Sequence, residues 1–557
     1  MKRRDLLKLT TSSALFYISG CAGKRINLKP EIIDHLDANQ LASMSPVNRL
    51  RDDLKERDFT GDDPHLAHAI LRDKDTFITS KGGLPLEFEK ADIVVIGGGI
   101  SGLIAAHELK QFNPIILEQA SSFGGNSKAE SWEGLDYSIG AAYFTRPYPG
   151  TRLDDFLKHV GADKIMSVHN GDDPFIYKNK IFDHFWEGKT ALSNHEKECF
   201  KKLSDYFQNM FKGENGIIFP DIPIENALLR DYINTLDSRS FYEHISSLLG
   251  GVVPTQIENF LDYFCWSAFA GSSKEISAAT ALNFYVGEMG EVLVPKGGNA
   301  GVAERIFFDL AATLSADNLR ANSLVFDINH KNDCVEVTYV DAHEQMKTIQ
   351  AKYVVVACPK FVVGKILNNI EDERLNIIQN LKYRSYLVAN VLIKKKNSLP
   401  YFDLYLLEKK KIKKTKEKKS KVTDVVIANF SDHDDEHTVL TLYKSIPFDG
   451  FRHKLLEENQ FESELQDFKT QFTHFSEALS IDEKDIIDFR LTRWGHALPL
   501  SEKGLISSGV VEKISKPFGS RIFFSEQDNW MVPCFEACAF EAFKTSDLIK
   551  SKLRPNV

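Results

Sequence analysis

Three glycines and one acid carry the first chemical signal in this sequence. Gly97, Gly99 and Gly102 stand in GxGxxG spacing. Such a turn lets Gly97 bend the chain, Gly99 admit a pyrophosphate to the backbone, and Gly102 pack a helix close to a strand. The N–H groups and dipole at the helix start, Ile100 and Ser101, suit phosphate. Glu118 follows about 20 residues on, where an acid accepts hydrogen bonds from a ribose and disfavours a 2′-phosphate. A proton-transfer candidate stands far downstream: His496 in Arg493-Trp494-Gly495-His496-Ala497. It reads either as a base for a substrate amine or alcohol or as a structural histidine at a domain junction. Trp494 and Trp530 read as aromatics that flank a bound planar group, as an aromatic cage for a cation, or equally as core. Asp262, Tyr263 and Trp266 are weaker candidates in the middle of the chain.

The elements that must position these residues are legible around them. Residues 92–96 (DIVVI) are an apolar, β-branched run expected to form a buried parallel strand. Residues 103–109 read as a helix and residues 114–118 as the next strand, completing a βαβ unit. Residues 150–290 are aromatic-rich with helical periodicity. Residues 321–357 return to β patterning, with alternation in 334–340 and a buried run at 353–357. The lysine-rich segment 409–421 reads as a solvated loop or hairpin that could touch anionic lipid. The expected architecture is α/β: a discontinuous dinucleotide-binding domain (89–150, 292–365 and 505–557) with an interleaved α+β substrate domain (151–291 and 366–504). Residues 22–88 read as a tether and N-terminal extension.

Composition bounds the rest. The chain has 557 residues, a net charge of −9 and ordinary hydrophobic and charged fractions. A mildly acidic chain lacks the basic surface of a general nucleic-acid binder. Its 39 Phe and 17 Tyr point to aromatic packing. Seven cysteines are sparse and irregular, so neither a disulfide framework nor a metal site is expected; Cys534 and Cys538 could share a helix face. At the N-terminus, Arg3 and Arg4 precede a short apolar stretch, then Ile18-Ser19-Gly20-Cys21. These resemble a twin-arginine export signal and a bacterial lipobox. A periplasmic or envelope location is therefore expected, with residues 1–21 read as the signal segment and Cys21 carrying lipid as the first mature residue.

Several segments carry a family resemblance. Phe123-Gly124-Gly125-Asn126-Ser127 and Gly134 through Phe144, then Pro295-Lys296-Gly297-Gly298-Asn299, Val325-x-x-Ile328, the 353–359 strand and turn ending at Pro359, residues 521–528 and residues 535–542 appear in order. Together they resemble the flavin-containing amine oxidase superfamily, and most closely its exported, poorly characterised bacterial FAD-dependent oxidoreductases. The resemblance implies FAD as cofactor. It implies contacts from Gly124, Gly125, Asn126 and Ser127, from Val325 beside adenine, and from Pro359 before the flavin. It further implies contacts from Glu526 or Asp528 at the ribityl chain, and from Pro533, Cys534 and Phe535 at the helix start facing the flavin pyrimidine. Two departures stand out. Asn126 replaces an Arg that helps hold the cofactor, and Ser525-Glu526-Gln527 replaces Ala-Gly-acid. Cys534 reads as a free packed thiol rather than a covalent flavin link. The implied activity is oxidation of an amine by hydride transfer to the flavin. The alternatives are a desaturase or dehydrogenase of an apolar substrate, and a flavin-bearing envelope protein without catalysis. The small-molecule substrate and the electron acceptor are not specified by any motif.

Overall fold

The computed structural model describes residues 38–49, 58–171, 174–407, 421–446, 452–457 and 459–553. The expectations placed on Arg3, Arg4 and Cys21, and nearly all of the 409–421 run, fall outside these residues. Among the described residues, no helix is long and apolar enough to cross a membrane.

The strand before the glycine turn, Phe88–Ile96, starts exposed and ends buried, and runs into the turn and helix Ile100–Glu108. Its partners on either side are Ile115–Leu117 and Met346–Val356, both parallel to it. The latter strand changes role along its length. Its first half pairs antiparallel with Val335–Val340, which in turn pairs with Leu324–His330, while its last three residues pair in parallel with Ile522–Phe524. Helix Ile100–Glu108 is buried along almost its whole length, between helices Asn299–Ala311 and Phe535–Leu553. That burial is why its sequence reads apolar all round rather than amphipathic.

The second large sheet has eight strands, in the order 180–182, 175–177, 403–407, 422–427, 438–446, 383–393, 486–499 and 60–61. Its sixth strand, Tyr383–Ile393, is buried throughout. A layer of helices built from residues 194–288 covers it with an aromatic core that includes Phe207, Phe260, Phe264 and Tyr285.

The reading of residues 22–88 as a tether and N-terminal extension is corrected in its tether part by residues 38–48 and 58–88, which are packed into the fold, one strand in a small three-stranded sheet and one at the edge of the eight-stranded sheet. Val47–Asn48 pairs in parallel with Ala129–Glu130. Ser45 and Arg49 bond Glu304 of helix Asn299–Ala311, at 2.7 and 2.6 Å. Thr60 and Gly61 add an edge strand beside Thr492 and Arg493. Short, polar, mixed segments of this kind lack periodicity because they are held by partners distant in sequence.

Candidate functional site

A cavity of about 1680 Å³ is lined by residues of both large sheets and of the segments between them. That exceeds the roughly 300–1,000 Å³ of a usual small-molecule pocket, so it has room for a dinucleotide together with a second small molecule.

At one end stand the glycines. Gly97 has φ +105°, and a methyl there would come within 2.6 Å of the Ala357 carbonyl oxygen; at Gly102 it would be 1.9 Å from the Gly97 oxygen. These two positions are closed by the protein itself. Gly99 differs: a methyl would meet nothing nearer than 3.7 Å. Glycine at this position leaves open space on the cavity side, as a phosphate approaching the N-terminus of helix Ile100–Glu108 requires. Ile100 and Ser101 form that first turn, and the Ser101 hydroxyl donates to the Cys538 carbonyl at 3.0 Å, tying it to the closing helix. The second glycine run folds against the first: the Gly124 N–H donates to the Gly98 carbonyl at 2.8 Å, and Gly99 bridges to Gly124.

Glu118 ends its strand inside the cavity wall. Its two carboxylate oxygens accept from the Gly98 and Ala120 N–H groups at 2.6 and 2.8 Å. The carboxylate is thus fixed, with lone pairs left for a ribose. Val325 lines the cavity nearby, just before a bulge in its strand. Asn126 also lines it, but its side-chain amide donates to the Ala497 carbonyl at 2.8 Å. Ser127 closes the turn through its N–H to the Gly124 carbonyl.

Pro359 caps helix Lys360–Ile366. Fully buried Lys360 ion-pairs with Glu526 and donates to Asn529 at 2.6 Å. Asp528 accepts from the Tyr383 hydroxyl at 2.5 Å and from the Lys360 N–H at 2.9 Å. Glu526 and Asp528 both line the cavity, but only Glu526 has an orphaned buried oxygen, Oε2. This singles out Glu526 as the acid with capacity for a cofactor hydroxyl. Burial pushes its carboxyl up to about 8, against the pull of Lys360. Pro533, Cys534 and Phe535 line the cavity at the start of helix Phe535–Leu553, and Phe535 stacks on Phe144 at 4.3 Å. The Cys534 sulfur accepts from the Ala537 N–H. The open face at Gly99, the orphaned Glu526 oxygen and the fixed Glu118 carboxylate together fit a bound dinucleotide.

His496 stands in the same wall, stacked on Phe361 at 4.3 Å. Burial, helped by the Arg452 guanidinium, pushes its imidazole down to about 3. It is therefore neutral near pH 7 and a poor proton acceptor, which favours positioning over general-base work. Trp494 lines the cavity and donates to the Ile139 carbonyl at 2.7 Å. Trp530 is packed away from the cavity lining and donates to Glu541 at 2.9 Å. Asp262, Tyr263 and Trp266 are also outside the lining. Asp262 instead accepts from the Ser273 backbone and hydroxyl.

The far end of the cavity holds what the sequence reading missed. Glu288 and Asp424 line it among Phe219, Ile222, Phe284 and Val388. Tyr143 donates its hydroxyl to Glu288 at 2.7 Å. Burial pushes Asp424 up to about 6. Burial, with Asp424 and Glu288 adding, raises Asp403 well above the carboxylate range. A visible signal existed: Asp424 is an acid within a strand, Val422–Ile427, whose residues are all buried.

Comparison with known proteins agrees with this geometry. The model of a family described as flavin containing amine oxidoreductase matches residues 100–507. The chain is 23% identical over 521 residues to the oxidoreductase PigB of Serratia sp. (strain ATCC 39006), covering 84% of this chain and 76% of that one. A putrescine oxidase solved with putrescine bound has a TM-score of 0.60 at 15% identity, covering 84% of this chain and all of that one (100%). A fatty acid isomerase from P. acnes that produces CLA has a TM-score of 0.56, also at 15% identity, covering 83% of this chain and 98% of that one. At these identities the structural likenesses show the fold alone.

Proposed function

The chain belongs to the flavin-containing amine oxidoreductase family and is an FAD-dependent oxidoreductase acting on a small molecule; from that premise we propose that the molecule is a cationic amine, bound against Asp424 and Glu288. The observation that carries this reading is the pair of carboxyl groups, buried Asp424 and half-buried Glu288, in a wall that also presents Phe219, Ile222 and Phe284. Buried acids are costly unless something compensates them. An alkylammonium supplies that compensation, with its chain against Phe219, Ile222 and Phe284. A desaturase or dehydrogenase of an apolar substrate would gain nothing from these acids.

FAD supplies the two-electron acceptor for a substrate C–H bond. The chain's own residues would do the rest. Gly99, Ile100 and Ser101 would hold the pyrophosphate, Glu118 the adenosine ribose and Glu526 the ribityl chain. Residues Pro533 to Phe535 would set the positive end of the closing helix against developing negative charge. His496 and Phe361, stacked, would shape the wall. Asp424 and Glu288 would orient the amine, while the apolar lining excludes water.

We also propose export to the cell envelope by the twin-arginine route through Arg3 and Arg4, with lipid on Cys21. The supporting observation is the order and spacing of those motifs.

The experiment for the substrate class is anaerobic mixing of the yellow protein with matched amines, alcohols and fatty acids, while following flavin absorbance. Bleaching by amines supports the reading. Bleaching by fatty acids or alcohols alone would overturn it.

A further inference from the structure

Asn126 leaves a gap in the charge balance of the dinucleotide end. Its amide is committed to the Ala497 carbonyl, and an amide carries no charge to offset a pyrophosphate. A pyrophosphate has two negative charges, and a helix N-terminus offers about half a charge. We propose that Lys128 supplies the missing cation and binds the cofactor pyrophosphate beside the glycine turn.

Four observations place it there. Lys128 lines the cavity together with Gly99, Gly124, Gly125 and Asn126. It lies three residues beyond Gly125, in the turn whose glycines contact the phosphate-binding glycines. Its side chain folds back across that turn: a methyl on Gly124 would come within 3.3 Å of the Lys128 Cγ. Its ammonium has no hydrogen bond or ion pair among the described residues, although Glu118 and Asp62 lie close enough for their charges to act on it. Burial nevertheless lowers its pKa below that of an ordinary lysine. The nearby acids have other partners. Glu118 accepts from two backbone N–H groups, and Asp62 accepts from the Gly495 N–H at 2.6 Å. Another cation in the wall, Arg493, is turned to the Leu455 and Asp62 carbonyls. A partly buried ammonium with no hydrogen-bond partner is costly, and a phosphate oxygen offsets that cost through a charge-assisted hydrogen bond.

The inference rests on the FAD reading above, and its test separates the two. Deflavinated full-length protein is titrated with FAD and, separately, with riboflavin, which has no phosphate. Binding is read by quenching of flavin fluorescence. Lys128→Met should weaken FAD binding by about 10- to 100-fold, the scale of one charged hydrogen bond. Riboflavin binding should be unchanged, and Lys128→Arg should retain most of the FAD affinity. The double variant Asn126→Arg/Lys128→Met should recover FAD binding by restoring a cation to the turn. It also carries the test if Lys128→Met alone does not fold. Equal FAD affinity in wild type and Lys128→Met, or equal loss for FAD and riboflavin, would overturn the role of Lys128 while leaving the cofactor reading intact. A double variant that folds but binds FAD no better than Lys128→Met would overturn it as well. Wild-type protein that binds no FAD would remove the cofactor reading itself.

Discussion

Asp403 and Asp424 sit on neighbouring antiparallel strands, offset by two residues, so that both carboxyl groups point from the same face of the sheet. Asp403 is opposite Val426 and Tyr405 opposite Asp424, and side chains two residues apart on a strand share a face. With Glu288 close enough to act on Asp403, this is a concentration of acid that the fold retains at a cost in stability.

The titration of Asp424 gives a pH signature. A carboxyl in the unfolded chain titrates near ~3.9, whereas burial raises Asp424 to about 6. Between those values the folded protein holds a proton that the unfolded chain has lost. The contribution of Asp424 to stability therefore falls as pH rises through this window. Ammonium binding favours the ionised form, so affinity for a cationic substrate should climb as pH approaches 6 and level off above it. A KM for amine that is flat from pH 4.5 to 8 would remove Asp424 from substrate binding.

Replacing the same residue separates recognition from folding. Asp424→Asn should raise KM for a cationic amine by about 10- to 100-fold, the cost of one charged contact. It should leave the flavin spectrum unchanged and unfold no earlier than wild type at pH 8. Steady-state kinetics and a thermal melt on one preparation decide it.

The glycines predict two different failures. Gly102→Ala forces a methyl into the Gly97 carbonyl and should cost about 1–3 kcal/mol of stability as well as the flavin. Gly99→Ala has room in the protein, so it should melt like wild-type protein stripped of flavin yet bind FAD poorly. If both variants kept full flavin content, the phosphate would lie elsewhere.

His496 tests how far sequence reasoning reaches. Its place in the cavity follows from the Arg493 to Ala497 motif; its protonation does not, because Phe361 and Arg452 reach it from distant segments. With its pKa moved from near ~6.5 to about 3, the folded state keeps His496 neutral, and the stability this contributes is lost as pH falls from ~6.5. His496→Ala should lower stability by about 1 kcal/mol, the scale of a stacked pair. It should slow flavin reduction by far less than the ~100-fold expected for a lost base. A 100-fold slower reduction per bound flavin would restore the general-base role.

The contrast runs through the whole molecule. The strand, glycine turn and helix at 92–109 are local, so spacing alone revealed them. The acids 403 and 424 meet only when two strands pair, and Thr60 joins Thr492 across more than four hundred positions. The difference between Glu526, with an unpartnered oxygen, and Asp528 depends on Tyr383 and Lys360, which no motif connects. Local periodicity reports which face an element buries, not which residues it meets there.

The export proposal is tested at the other end of the chain. Arg3→Lys with Arg4→Lys should hold the protein in the cytoplasm, and Cys21→Ser should abolish lipid labelling. Lipid labelling that survives the Cys21 change would exclude the anchor.

The most direct measurement of the central claim uses the purified protein at pH 7.5 under anaerobic conditions. An alkylamine and the alcohol of equal chain length are mixed with it in turn while flavin absorbance is followed. The account predicts a yellow protein that releases FAD on denaturation, is bleached by the amine and responds little to the alcohol. In Asp424→Asn the amine should lose its advantage. Equal bleaching by the two compounds, undiminished by Asp424→Asn, would contradict recognition of a cationic amine.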